Sequence, residues 1–167
     1  MPSGTPGKGR SPTEALAAPS ATAAGDTPGC FYVWATQELR DLSEQLQSEL
    51  ATDDSGIRAS AYAFGEDCRQ QNGETTFLPM ESDFRVRIPV QSLTDEVVLG
   101  DWIGRVMVAI ESLPAAEIPG GRPGRVEFEF LSKDAGSLHL NIEISSYRAD
   151  AQGLQGATLF EHFRSGP

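Results

Sequence analysis

The chain is short of residues that usually carry chemistry. Its 167 residues include two histidines, His139 and His162, and two cysteines, Cys30 and Cys68. So few imidazoles nearly exclude a multi-histidine metal site within one chain, and no paired C-x-x-C spacing suggests a zinc module. Long apolar runs are missing too, since no stretch approaches the ~20 residues that a membrane-spanning helix needs. Basic charge is scarce: 13 Lys plus Arg stand against 24 Asp plus Glu, for a formal net charge of −11. A surface of that sign repels phosphate backbones and anionic lipids, so nucleic acid is not an expected partner. The G-x-S-x-G elbow, H-E-x-x-H, the dinucleotide glycine fingerprint and EF-hand spacing do not occur. The expectation is a protein that is not an enzyme and has no cofactor.

Two compositional regimes follow one another. Residues 1–29 are rich in Pro, Gly, Ser, Thr and Ala without apolar periodicity, and read as a disordered tail. Within it G-T-P-G-K-G-R-S is not a phosphate loop, because Gly9 follows Lys8 where Ser or Thr is needed. Ala15–Ala18 is too short for the apolar core of a secretory signal, so the sequence as written carries no signal peptide. Residues 30–167 are long enough for a single domain with one core.

Within that domain, two stretches have helical periodicity. From Ser92 to Leu113, Val98, Leu99, Trp102, Ile103, Val106, Met107, Ile110 and Leu113 recur at steps of three and four. Ser92 with Asp95 reads as its start and Pro114 as its stop. Thr36–Leu50 predicts a second helix with Thr36 as N-cap and Leu39, Leu42, Leu46 and Leu50 on one stripe. That stripe packs on a core from outside or, alternatively, forms a dimerising seam. A short closing helix is expected over Leu154–Phe163, weakened by Gly153 and Gly156.

Alternating patterns predict two hairpins. Gln71-Asn72-Gly73-Glu74 suits a two-residue type I′ turn, which places Ile57 opposite Ile88, Ala59 opposite Val86 and Ala61 opposite Phe84. Around Pro79 a bulge or break is expected. The same folding puts Tyr62, Phe64, Cys68 and Phe77 on the face away from the helices. R-V-E-F-E-F and L-H-L-N-I-E-I form the second hairpin, with Val126 opposite Ile142, Phe128 opposite Leu140 and Phe130 opposite Leu138. Its solvent face then pairs Arg125 with Glu143, Glu127 with Asn141 and Glu129 with His139. The predicted fold is α+β: a two-layer sandwich with a four-stranded antiparallel sheet and two main helices on one face, in αββαββα order. Two αββ units in tandem suggest an internal duplication. Gly120, Gly121 and Gly124, with Arg122 and Arg125, read as a plain connector.

The candidate site is the polar sheet face, where His139 stands among Glu127, Glu129 and Glu143 with Arg85 and Arg87 nearby. An imidazole among three carboxylates has the donors for a metal or a base, although solvated cross-strand ion pairs use the same residues. Tyr62 and Phe64 form an exposed aromatic patch. A Cys30–Cys68 disulfide would lay Phe31-Tyr32-Val33-Trp34 over that patch and imply an exported or envelope-associated protein; free thiols would imply a cytoplasmic one. The sequence thus predicts a non-catalytic, acidic interaction or ligand-binding domain, a monomer or weak dimer, with an unknown protein or small-molecule partner. The alternatives are a small-molecule or metal binder around His139, or a hydrolase of unrecognised type.

Overall fold

A computed structural model describes residues 29–51 and 56–165. The tail reading of residues 1–29 therefore falls outside the described residues except for Gly29. The element order is β1 (Phe31–Glu38), α1 (Arg40–Leu50), β2 (Arg58–Arg69), β3 (Thr75–Pro89), α2 (Glu96–Ser112), β4 (Pro123–Ser132), β5 (Gly136–Glu143), α3 (Ile144–Ser146) and α4 (Gly156–Arg164). A π-helical turn, Tyr147–Ala151, continues α3. The sheet is five-stranded in the order β1-β2-β3-β4-β5, with β3 and β4 parallel and every other neighbouring pair antiparallel.

The α+β class therefore holds, and the four-stranded antiparallel sheet is corrected to a five-stranded mixed one. The parallel pair follows from α2. Its 17 residues carry the chain ~25 Å back along the sheet, so β4 starts at the same end as β3. By contrast α1 links strands that are antiparallel neighbours, so the two αββ segments join the preceding strand differently.

The added strand is β1. Thr36, read above as a helix cap, lies within it opposite Phe64, and α1 begins only at Arg40, with Leu39 as an N-cap that makes no side-chain bond. Aromatic and β-branched residues in F-Y-V-W-A-T favour a strand, but with both of its faces largely exposed the segment lacks the alternation that marks a half-buried one.

Beyond Glu38 the edge of β2 is closed by α1 instead of by a strand. Leu39 donates its backbone N–H to the Ala61 carbonyl at 2.9 Å, continuing the ladder by one rung. Ser43 Oγ then accepts the Ala61 N–H, Gln47 Oε1 accepts the Ala59 N–H, and Gln47 Nε2 donates to the Ile57 carbonyl. Serine and glutamine four residues apart lie on one helical face, so α1 seals this edge with side chains. Leu42, Leu46 and Leu50 are buried on the neighbouring stripe. The stripe is core, not a dimer seam.

One core fills the space between helices and sheet. Leu99, Ile103, Val106, Met107 and Ile110 of α2 share it with Phe84, Val86, Ile88, Val126, Phe128 and Phe130 of β3 and β4, and with Leu159 and Phe160 of α4. Trp102 is only partly buried, with the Arg105 guanidinium 4.9 Å from its ring centre, and Val98 is exposed. Asp95 caps α2 by accepting the Val98 N–H, whereas Ser92 bonds locally to Thr94. The glycines near α4 shape its entry: Gly153 and Gly156 take positive φ of 95° and 52°. At Gly100 of α2 a Cβ would overlap the Gly156 carbonyl, so α4 docks directly on helix backbone there.

In the first hairpin two errors of register cancel. Gly73 donates to the Gln70 carbonyl and Gln70 to that of Glu74, leaving a three-residue loop in place of the expected two-residue one. A bulge between Phe64 and Gly65 on one strand and Pro79 and Glu81 on the other restores the count. Arg58 to Phe64 consequently meet the predicted partners, Ala59 opposite Val86 and Ala61 opposite Phe84 among them. Nearer the turn they do not: Phe77 pairs with Asp67, which places it on the opposite face from Cys68. The Gly120-Gly121 connector packs on this bulge, and the Arg122 carbonyl accepts the Ser82 N–H at 3.2 Å. The second hairpin has the predicted register throughout, from Arg125 opposite Glu143 to Phe130 opposite Leu138.

Cys30 and Cys68 are bridged, with Cα atoms 5.2 Å apart across the β1–β2 pair. The aromatics that follow Cys30 do not fold over the sheet. They extend it in plane, where pairing with β2 satisfies the backbone groups of every second residue.

The non-reduced protein has an intact mass two hydrogens below that of the reduced chain, and Cys30→Ala/Cys68→Ala lowers unfolding free energy by about 2–4 kcal/mol in urea titration. Gln47→Ala strands the Ala59 N–H, while the Ile57 carbonyl keeps its bond from Arg58 Nη1, and costs about 1–3 kcal/mol by the same assay, whereas an unchanged midpoint would mean that water replaces the amide.

Candidate functional site

Among the described residues all four helices lie on or beside one side of the sheet, and the residues that point the other way form the candidate site. Strand register arranges them in rows. One row runs Arg58, Arg87, Glu129 and His139; the next runs Ser60, Arg85, Glu127 and Asn141. A third begins at Glu38 and Tyr62, continues through Asp83 and Arg125, and ends at Glu143.

Each carboxylate in the middle of these rows is engaged by an arginine. Glu127 Oε2 lies 2.8 Å from both Nε and Nη2 of Arg85. Glu129 is held by Arg87 through Nε to Oε2 and, at 3.3 Å, Nη2 to Oε1. Asp83 accepts the Arg125 backbone N–H at 3.1 Å and its Nε at 3.2 Å. Parallel pairing produces this match, since it puts Arg85 beside Glu127 and Arg87 beside Glu129.

His139 therefore does not gather three carboxylates. Its Nε2 lies 3.9 Å from Glu129 and 3.3 Å from Ser137 Oγ. Glu127 is turned to Arg85, and Glu143 lies one row further, opposite Arg125. Among the described residues no group of three His, Cys, Asp or Glu side chains converges as a metal cage. The bond from Arg87 holds the Glu129 carboxyl below its ordinary pKa, partial burial opposes it, and the charges of Arg87, His139 and Arg85 add to the lowering. The same pair raises the Arg87 guanidinium.

Two shallow, open depressions of about 420 and 430 Å³ lie along the face and share Tyr62, Arg85 and Glu127. Arg85 also sits 5.8 Å over the Tyr62 ring. Towards the hairpin tip the face becomes apolar. Trp34 stacks on Phe64 with ring centres 5.3 Å apart and planes 12° from parallel. Tyr32 and Trp34 on this face are 54% and 63% exposed, Leu78 is exposed in the row of Trp34 and Glu66, and Phe31, on the opposite face of the strand, is 70% exposed.

On the helical side a cleft of about 390 Å³ separates α2 from the segment after α3. Its acidic residues have structural duties: Asp101 accepts the Gly156 N–H at the start of α4, and Glu111 pairs with Arg148 at 3.1 Å. Buried there, and beside Glu111, the Tyr147 hydroxyl has a raised pKa.

Of the residues expected from sequence, Arg85, Arg87, Glu127, Glu129, His139, Tyr62 and Phe64 do share one face. The edge-strand position of Trp34 against Phe64 and the partnership of Asp83 with Arg125 were missed. A β-branched and aromatic run beside Trp34 was the available signal for the first. No sequence signal shows which strand lies beside β3. Comparison of the chain with protein-family models, with curated proteins and with solved structures returns no match.

The lowered pKa sets the sign of a pH effect. Glu129 contributes stability that is complete above its ordinary value of 4.5 and lost as the pH falls through the depressed folded value. Wild-type unfolding free energy falls as the pH is lowered below the ordinary value of 4.5, and Glu129→Gln shows a smaller fall over the same interval. Equal falls would place the acid sensitivity elsewhere.

Proposed function

We propose that the chain is a non-catalytic interaction domain that binds a protein partner on its uncovered sheet face. One observation carries this reading: the helices cover a single side of the sheet, leaving the other with an ordered grid of arginine–carboxylate pairs bordered by Tyr62, Phe64 and Trp34. Aromatic and arginine side chains anchor protein interfaces, and charges already held in place lose little freedom on binding. A broad, shallow face suits a folded partner better than a small molecule, which needs a deeper cleft. Catalysis has less support, because Glu127 and Glu129 are both committed to arginines instead of being poised against a substrate. The Cys30–Cys68 bridge favours an oxidising compartment, so export or envelope association accompanies the proposal.

Immobilised wild-type protein and the variants Tyr62→Ala and Arg85→Ala/Arg87→Ala, all kept oxidised, test the reading against extracts of the source cells. A stoichiometric prey retained by the wild type and reduced about tenfold or more by both variants, at unchanged melting temperature, is the expected result; ~1.4 kcal/mol of lost interface energy suffices for it. The same prey on all three proteins would sink the proposal, as would substrate turnover by the wild type.

A further inference from the structure

The edge of β1 is a separate surface from the polar face. The rung from Leu39 to Ala61 fixes which way its backbone points. In an antiparallel pair, residues with groups directed at the neighbour alternate with residues directed away. Odd-numbered residues of β1 thus face β2, and the N–H and C=O groups of Tyr32, Trp34 and Thr36 point outward. Among the described residues no strand takes them up. Protected edges carry charge, proline, bulges or a covering helix. Phe31–Gln37 has no charge, no proline and no bulge, and α1 covers only the edge of β2 beyond it. The other edge strand, β5, has no exposed large hydrophobic residue.

We infer that β1 is a homodimer interface, in which two copies pair edge to edge and antiparallel about a two-fold axis at Val33. The sequence of the strand is self-complementary in that register. Tyr32 meets Trp34 of the second copy and Trp34 meets its Tyr32, giving two cross-strand aromatic pairs on the open face. On the other side Val33 meets Val33, and Phe31 meets Ala35, large against small. The backbone parity agrees, because Tyr32 and Trp34 both have outward-directed groups and form a hydrogen-bonded pair. Moving the axis to Trp34 would put Phe31 against Gln37 and Tyr32 against Thr36, and so forfeit the apolar matches.

Charge does not oppose the pairing locally. Glu38 is the single charged residue of the strand, and the two copies of it stand ~30 Å apart, beyond the ~8 Å screening length at physiological salt. Phe31, Tyr32 and Trp34 leave on the order of 350 Å² exposed per copy, so these side chains alone approach half or more of the ~1,200 Å² that a specific interface buries. The backbone ladder and the neighbouring side chains supply the rest. The Cys30–Cys68 bridge ties the start of β1 to β2, so the edge is held straight before it meets its partner. The product is a ten-stranded sheet with both polar faces on one side, joined by a band of Phe64, Trp34 and the partner copy's tyrosine at position 32.

Sedimentation velocity on the oxidised protein between about 1 and 100 µM is the test, with Trp34→Glu and Tyr32→Glu as variants of exposed residues that leave folding intact by circular dichroism. Expected are a concentration-dependent species of twice the chain mass and at least a tenfold weaker association in either variant. Oxidised Val33→Cys forms a covalent dimer whose peptide map links residue 33 to residue 33 with Cys30–Cys68 retained, and Gln37→Cys forms none. A monomer at every concentration overturns the inference, and so does a dimer unaffected by Trp34→Glu. Because Arg85, Arg87 and Tyr62 are untouched, these failures are distinct from failure of the polar-face proposal.

Discussion

Burial of α2 against β3 and β4 is the constraint on which the rest of the structure depends. Its apolar residues share one core with Phe84, Val86 and Ile88 on one strand and Val126, Phe128 and Phe130 on the next. A helix that must cover both strands returns the chain along the sheet, and that return makes the two strands parallel. Parallel pairing in turn aligns arginines of β3 with glutamates of β4. The charge grid on the far side of the sheet is therefore a consequence of how the core is packed on the near side.

The remaining elements solve the problem of edges. At one place the chain uses side chains, since Ser43 and Gln47 of α1 bind backbone groups of β2 that a strand would otherwise satisfy. A few residues earlier it uses an ordinary strand, β1, whose outer side is open among the described residues. The difference matters because unsatisfied backbone beside exposed aromatics is a template for another strand. A disulfide at the beginning of β1 and a helix at its end hold this edge in place. The protein thus has two surfaces of different character on one sheet, a charged and internally paired face and an apolar, unpaired edge.

How far the site could be read beforehand depends on whether strand partners are local. His139 opposite Glu129 was legible, because the turn joining β4 and β5 is short and both strands alternate. Phe77 lies on the face opposite to the one expected, because a three-residue loop and a compensating bulge leave the same register over Arg58–Phe64 as a two-residue turn without one. The His139 cluster was expected to gather Glu127 and Glu143. Those carboxylates lie beside Arg85 and opposite Arg125, and the Arg85 pairing is set by a strand more than thirty residues away.

Composition and local pattern were enough to determine an acidic α+β domain, the apolar stripes of α1 and α2, and the internal register of β4 and β5. These depend on periodicities of two and 3.6 residues, which each segment carries by itself. Only the tertiary structure decided that Phe31–Glu38 is a strand, that the sheet is mixed, and which arginine holds which glutamate. Such choices follow from which nonlocal neighbour leaves the least backbone unpaired and the most apolar surface covered, a comparison made across the whole fold and encoded in no single segment.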